Sequence, residues 1–279
     1  MKIDTHIHIF STQAAADRQG YLDDHGFRLL YAKEKAGLAT ADDACDYAVS
    51  NGLDAFWCMG FCWESAERCI RENSRIAEES AGNERFTLFA GVPSLPFPDI
   101  KKLIRDAKGD GFRGIGEVAF YSSGLDIKNE QYCRSIFEAA CEEDMPVCLH
   151  VTEPVGHSYP GKHATDFSVI YDLIRDFPSL RIMLSHMGGG LLFYEQMPEV
   201  REAFRNVVYD TAAAPFLYDR DIYRRVVELA GNEKILFGSD YPLLGIKRYE
   251  DAIMKALSPE IAQGVMGENA MKFISARKV

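Results

Sequence analysis

Residues 2–8 read Lys2-Ile3-Asp4-Thr5-His6-Ile7-His8, and this stretch decides the fold. Alternating apolar and polar residues mark a half-buried β-strand. In a strand, side chains i and i+2 share a face, so His6 and His8 aim together, with Asp4 expected beside them. Working outward, similar β-rich runs recur at 54–60 (DAFWCMG), 86–92 (FTLFAGV), 112–118 (FRGIGEV), 146–151 (PVCLHV), 181–186 (RIMLSH), 206–211 (NVVYDT) and 234–239 (KILFGS). Most are followed by a helical pattern. In 165–177, Phe167, Ile170, Tyr171 and Ile174 form one stripe, and Thr165 and Asn129 are expected N-caps. Strands alternating with helices imply parallel βαβ units.

Eight such units favour a single (β/α)8 TIM barrel over an open doubly wound sheet. Gly109, Gly111, Gly114 and Gly116 run into a strand rather than out of one into a helix, so they are no dinucleotide turn. The whole chain, 1–279, reads as one domain, slightly elaborated after the first strand. The connection 9–53 is far longer than the 2–6 residues of an ordinary βα loop. About 41–50 reads as the first helix. The remainder, 9–40, is either a pocket-capping insertion or a plain surface insertion.

Composition narrows the class. Apolar residues make up 47% of the 279 residues and charged residues 26%, enough for a large core. The net charge of −11 argues against nucleic acid and anionic membranes, which need a basic face. No apolar run approaches the roughly 20 residues of a membrane span, and no signal segment opens the chain, so a cytoplasmic protein is expected. Seven scattered cysteines without a Cys-x-x-Cys pair read as reduced thiols, with Cys58, Cys62, Cys69, Cys133 and Cys141 as packing residues. A small-molecule substrate and a homodimer are the expected partners.

The chemistry rests on where ionisable residues fall. An isolated His-x-His is a weak signal. Here His150 ends the fifth run, His186 ends the sixth, Asp240 follows the eighth, and Glu117 lies near the end of the fourth. The carboxyl ends of strands are where barrel active sites are built. Simple alternation puts Glu117 on the face of Ile115, His150 with Cys148, His186 with Leu184 and Asp240 with Gly238, and turns Ser185 and Ser239 away. Imidazole and carboxylate donors suit a divalent metal, with zinc first. Such an ion lowers the pKa of bound water toward about 7, and Asp240 is the expected proton carrier.

Asp-Thr-His-Ile-His (4–8), Leu-His (149–150), Leu-Ser-His-Met-Gly-Gly-Gly (184–190), Phe-Gly-Ser-Asp-Tyr-Pro (237–242) and Gly-Glu-Asn-Ala (267–270) resemble the amidohydrolase superfamily. The nearest branch is the amidohydrolase-related group that includes aminocarboxymuconate-semialdehyde decarboxylase-like enzymes. The resemblance implies that His6, His8, His150, His186 and Asp240 are metal or catalytic residues. In its single-metal branch, the first-strand pair, the fifth-strand histidine and the last aspartate hold the ion, and His186 is the acid/base. In its two-metal branches a fourth-strand carboxylate bridges two ions, the role Glu117 would take, with His186 a ligand. The two-ion version is preferred here.

Weaker features complete the picture. His157, Tyr159 and Lys162, in the turn-rich stretch 152–162, and Tyr241 are expected at the substrate; Tyr209 and Asp210 are expected at the pocket wall. Gly188, Gly189 and Gly190 either let backbone approach substrate or simply allow a tight turn. The leading functional expectation is a metal-dependent hydrolase of a lactone, amide or ester, with Asp240 as general base. The alternative is a single-metal non-oxidative decarboxylase or hydratase of a carboxylated substrate. The third is an inactive barrel serving as a binding protein.

Overall fold

The computed structural model describes residues 1–121, 127–163 and 165–276. Its strands are β1 (Ile3–His8), β2 (Ala55–Met59), β3 (Phe86–Ala90), β4 (Gly114–Val118), β5 (Val147–Leu149), β6 (Ile182–Leu184), β7 (Val207–Asp210) and β8 (Ile235–Leu236). They pair in sequence order, all parallel. The ends meet: Thr5 N donates to Phe237 O at 2.8 Å and Asp240 N to His6 O at 2.9 Å. The chain is a (β/α)8 barrel, as the alternating runs indicate.

The helices that matter for the site are α1 (Thr12–Ala16), α2 (His25–Tyr31), α3 (Ala41–Asn51), α4 (Ala66–Glu79), α5 (Ile100–Gly109), α6 (Ile127–Glu142) and α7 (Phe167–Asp176). A capping box starts α3: Thr40 N donates to Asp43 Oδ2 at 2.8 Å and Asp43 N to Thr40 Oγ1 at 3.4 Å, a start signal of about 1 kcal/mol. The cap of α7 is Asp166, which accepts from Ser168 N at 2.9 Å, rather than Thr165. Its buried stripe is Val169, Ile170, Leu173 and Ile174, so Phe167 and Tyr171 sit at its margin. Asn129 falls inside α6, as its third residue.

Apolar side chains form two main layers. Ile3, Trp57, Met59, Phe89, Cys148, Met183, Val208 and Leu236 make one cluster, which fills the lower barrel. Their strand neighbours, such as Ile7, Phe56, Cys58, Ile115 and Leu184, belong to the layer beneath the helices. This sorting exposes two places where simple alternation fails. In β1, Asp4 pairs with Phe56 but Ile7 pairs with Cys58, so Thr5 and His6 together oppose Trp57. That bulge sends Asp4 to the helix side, where its carboxylate accepts from Tyr47 Oη and Ser239 N, both at 2.9 Å. Burial raises the Asp4 pKa to about 6. Asp4 therefore does not share a face with His6 and His8.

The second bulge lies in β4, where Ile115 pairs with Val147 and Val118 with Leu149. Gly116 and Glu117 face Cys148 alone, so Glu117 points inward although Ile115 belongs to the outer layer. A Cβ on Gly116, at φ +132°, would lie 2.5 Å from Cys148 O, so only glycine fits. His186 departs from alternation too. Leu184 faces outward, and a left-handed φ of 56° at His186 turns its ring back to the axis. Ser185 also faces in, its Oγ 3.2 Å from Cys148 Sγ, while Ser239 faces the helices as expected.

The stretch 9–40 has structure of its own. Phe10, Tyr21 and Phe27 from it, with Phe61, Trp63 and Tyr121, form a third buried cluster. Ser11 Oγ and Tyr21 Oη donate to the buried Glu72 carboxylate of α4 at 2.5 and 2.9 Å. All seven cysteines are free. No helix among the described residues is long and apolar enough to cross a membrane.

Candidate metal centre

The strand ends bring two donor groups together. In the first, His6 Nε2 lies 3.1 Å from His8 Nε2, and Asp240 Oδ1 lies 3.4 Å from His8 Nε2 and 4.0 Å from His6 Nε2. In the second, Glu117 Oε1 lies 2.9 Å from His150 Nδ1 and 3.5 Å from His186 Nε2, and the two ring nitrogens are 3.2 Å apart. Each triad has its donor atoms within 4.8 Å of one another. Glu117 also stands 3.8 Å from His6 Nε2 and 3.7 Å from His8 Nε2, between the groups.

The outer nitrogens fix what the inner ones are. His186 Nδ1 lies 3.1 Å from Ala212 O, and His150 Nε2 lies 3.1 Å from Gly161 O. A carbonyl only accepts, so both of those nitrogens carry N–H, and in a neutral ring the opposite nitrogen is a lone pair. His6 Nδ1 lies 2.8 Å from Asp210 Oδ2, so in its neutral form His6 likewise presents a lone pair at Nε2. Lone pairs and carboxylate oxygens then converge at contact distance, an arrangement that needs a cation between them, proton or metal. The residues fit a divalent ion. Among the described residues the buried Nδ1 of His8 has no hydrogen-bond partner.

Charge follows the same pattern. Burial alone would lower the His6 pKa, but the Asp210 and Glu117 carboxylates together lift it to about 10. Burial would raise Glu117, yet His150, His6 and His186 together hold it well below the usual carboxylate range. Asp240 is drawn down to about 2, its burial outweighed by His8, His6 and His186. The left-handed φ of 65° at Asp240 and 56° at His186 costs on the order of 1–3 kcal/mol each, a strain typical of functional positions.

His8, Glu117, His150, His186 and Asp240 form the floor of a cavity of about 550 Å³. Its walls include Leu30, Tyr31, Tyr121, Phe216, Leu217 and Leu243. Of the residues expected at the substrate, His157 and Tyr159 line this cavity, but Lys162 and Tyr241 do not. Lys162 Nζ donates to Val155 O and His157 O at 2.5 and 3.0 Å, which ties the turn together. Tyr241 stacks on Tyr47 at 4.1 Å, against α3. The sequence pointed to Tyr31 only as part of a possible cap and to Tyr121 not at all, and it concealed the part Asp210 plays. Neither Tyr209 nor Asp210 lines the cavity, as both are fully buried behind it; besides His6, Asp210 accepts from His186 N and Ala212 N, each at 2.9 Å, so one carboxylate orients residues of both triads.

Comparison with known proteins adds family and fold. A family model described as amidohydrolase matches residues 3–275. Fructose-bisphosphate aldolase of Staphylococcus epidermidis is 24% identical over 151 residues, 54% of this chain and 50% of that protein. The chain spans about half the length of the curated relatives it matches. Among solved structures, 5-carboxyvanillate decarboxylase LigW of Sphingomonas paucimobilis superposes with a TM-score of 0.73 at 18% identity, over 98% of both chains. Dihydroxybenzoic acid decarboxylase of Polaromonas sp. JS666, with bound manganese and the inhibitor 2-nitroresorcinol, gives 0.68 at 18% identity over 98% and 96%. The expectation of a hydrolase is overturned by these matches. The whole-chain structural neighbours are in the main decarboxylases. Since the family model spans almost the entire chain and the strand-end donors fit the divalent metal that goes with it, the chain belongs to the amidohydrolase family.

Proposed function

We propose that this chain is a metal-dependent, non-oxidative lyase that removes carbon dioxide from a small aromatic acid. The observation that carries the reading is the cavity itself, with convergent histidines and carboxylates on the floor and flat or aliphatic side chains on the walls. Such a space suits a ring whose acid group points downward. The names of the structural neighbours, 5-carboxyvanillate and dihydroxybenzoate decarboxylases, support the same class, as does the carbon–carbon cleavage of an aldolase.

The two triads divide the work. His6, His8 and Asp240 would hold the ion, and Glu117, His150 and His186 would hold a proton where their lone pairs meet. Manganese is the proposed ion, since imidazole and carboxylate donors accept it and the Polaromonas neighbour carries it. When bound, the ion supplies positive charge that orients the acid and steadies charge developing on the ring. The bond from ring carbon to carboxylate breaks, its electron pair stays on the ring carbon, and carbon dioxide leaves. His186 Nε2, facing the cavity, delivers the proton that fills the vacated position. No oxidant or reductant takes part.

The deciding experiment is carbon dioxide release from a panel of hydroxybenzoic acids by manganese-loaded protein, with metal counted per chain. Release from at least one acid, with about one ion per chain, is expected. His186→Gln should cut turnover by about 10²–10⁴-fold, the usual contribution of a positioned acid, while metal content holds. Ester or lactone turnover without decarboxylation of any acid would overturn the lyase. A requirement for about two ions per chain would overturn the proton-holding triad.

A further inference from the structure

Two phenols on the cavity wall are unused by the chemistry above. Tyr31, the last residue of α2, packs its ring against Phe10 at 4.9 Å and Phe27 at 5.2 Å. Tyr121, just past β4, stacks on Phe61 at 5.7 Å and meets the His150 ring edge-on at 5.6 Å. Both side chains line the cavity with Glu117 and Asp240. Among the described residues neither hydroxyl has a hydrogen-bond partner, although Tyr121 is only 9% exposed. Room for Tyr121 depends on Gly26, whose added Cβ would lie 2.9 Å from the Tyr121 ring. With no protein partner, each hydroxyl is left open to the cavity, and rings packed this firmly keep it turned there.

The charges around them say what kind of group they would take. Burial, and then the carboxylates of Glu117 and Asp240, push both phenols upward in pKa, so each is a neutral O–H donor. The lysines of the cavity, Lys33 and Lys35, are exposed at its rim, and Lys162 is committed to loop carbonyls. A second carboxylate deep in the pocket would meet no countercharge there. A ring hydroxyl would meet donors of matching polarity.

We propose that Tyr31 and Tyr121 form a neutral donor pair that binds the oxygen of a ring hydroxyl, making the pocket selective for hydroxylated aromatic acids with one carboxylate. This rests on the aromatic-acid reading above and assigns its specificity to two residues. Each Tyr hydroxyl donates to the substrate oxygen; neither exchanges a proton with the reacting carbon.

The probe is 2-nitroresorcinol, which carries two ring hydroxyls and no carboxylate to lose. Its Kd is measured by calorimetry with manganese-loaded wild type, Tyr31→Phe, Tyr121→Phe and the double variant. Melting temperature and metal content establish that each variant is folded and loaded. Each single change should raise Kd about tenfold, the cost of one well-aligned hydrogen bond, and the double change more. Equal Kd in all four proteins overturns the donor pair and leaves the aromatic-acid reading standing. Failure of the wild type itself to bind overturns that reading and the pair with it.

Discussion

Asp210 shows how much of the centre depends on a residue that need not touch metal. Its Oδ2 accepts from His6 Nδ1 at 2.8 Å while Oδ1 accepts from the His186 and Ala212 amides. Replacing it with Asn keeps the shape and the Oδ1 acceptor but puts an NH₂ against His6 Nδ1. The ring must then carry its proton on Nε2, where the ion would bind. Loss of such a supporting hydrogen bond typically costs 10–100-fold in metal affinity. Asp210→Asn should weaken manganese binding by about that factor in a chelator competition, with little change in melting temperature of the metal-free protein. An unchanged affinity would show that His6 is oriented by packing alone. His6, His8, His150, His186 and Asp240 were legible in the sequence because each falls at a strand end. Asp210 ends a strand as well, yet nothing in its neighbourhood distinguishes a supporting carboxylate from a wall residue. Tyr31 was hidden for another reason: it reaches the cavity from a helix inside an insertion whose path no periodicity predicts.

At the scale of elements, the strands were readable to within two residues, except that β8 ends at Leu236 rather than 239, but their facing was not. A period of two holds only while every residue has one partner, and bulges in β1 and β4 break it just before His6 and at Glu117. The outcome is a candidate metal face assembled from residues that simple alternation assigns to opposite sides. The one local trace is Gly116, whose φ of +132° and closeness to Cys148 O leave no space for a Cβ. Gly116→Ala should therefore cost on the order of 1–3 kcal/mol from backbone conformation, with the Cys148 clash added. Because the strain falls on the residue before Glu117, the variant should lose stability in urea unfolding and also disturb the second triad. Carbon dioxide release should fall more than metal content, since Glu117 belongs to the proton-holding group rather than to the proposed ion site. If metal content falls in step with turnover, Glu117 is itself a ligand.

Across the whole molecule, barrel and insertion make one cavity from two kinds of structure. The floor comes from strand ends fixed by the sheet, whereas much of one wall, 30–37, comes from the long connection after β1. That wall lacks a sheet to hold it. Arg18 supplies part of the missing support, because its guanidinium donates to Tyr31 O at 2.9 Å, to Ala36 O at 2.8 Å and to Lys33 O. One side chain thus fixes the turn that presents Tyr31 and closes the pocket edge. Hydrogen bonds from a charged donor are worth about 1.5–3 kcal/mol each when well made, but here water can replace part of them because Arg18 is only half-buried. Arg18→Ala should leave the barrel, its melting temperature and its metal content nearly unchanged, since the floor shares none of these contacts. It should raise KM for the acid substrate by about tenfold while kcat falls less, because ground state and transition state both lean on the same wall. A variant that instead lost kcat at constant KM would place the insertion's contribution in the reacting geometry, and one that lost its metal would mean that wall and floor are coupled through the aromatic cluster joining Phe10 and Phe27 to Tyr121.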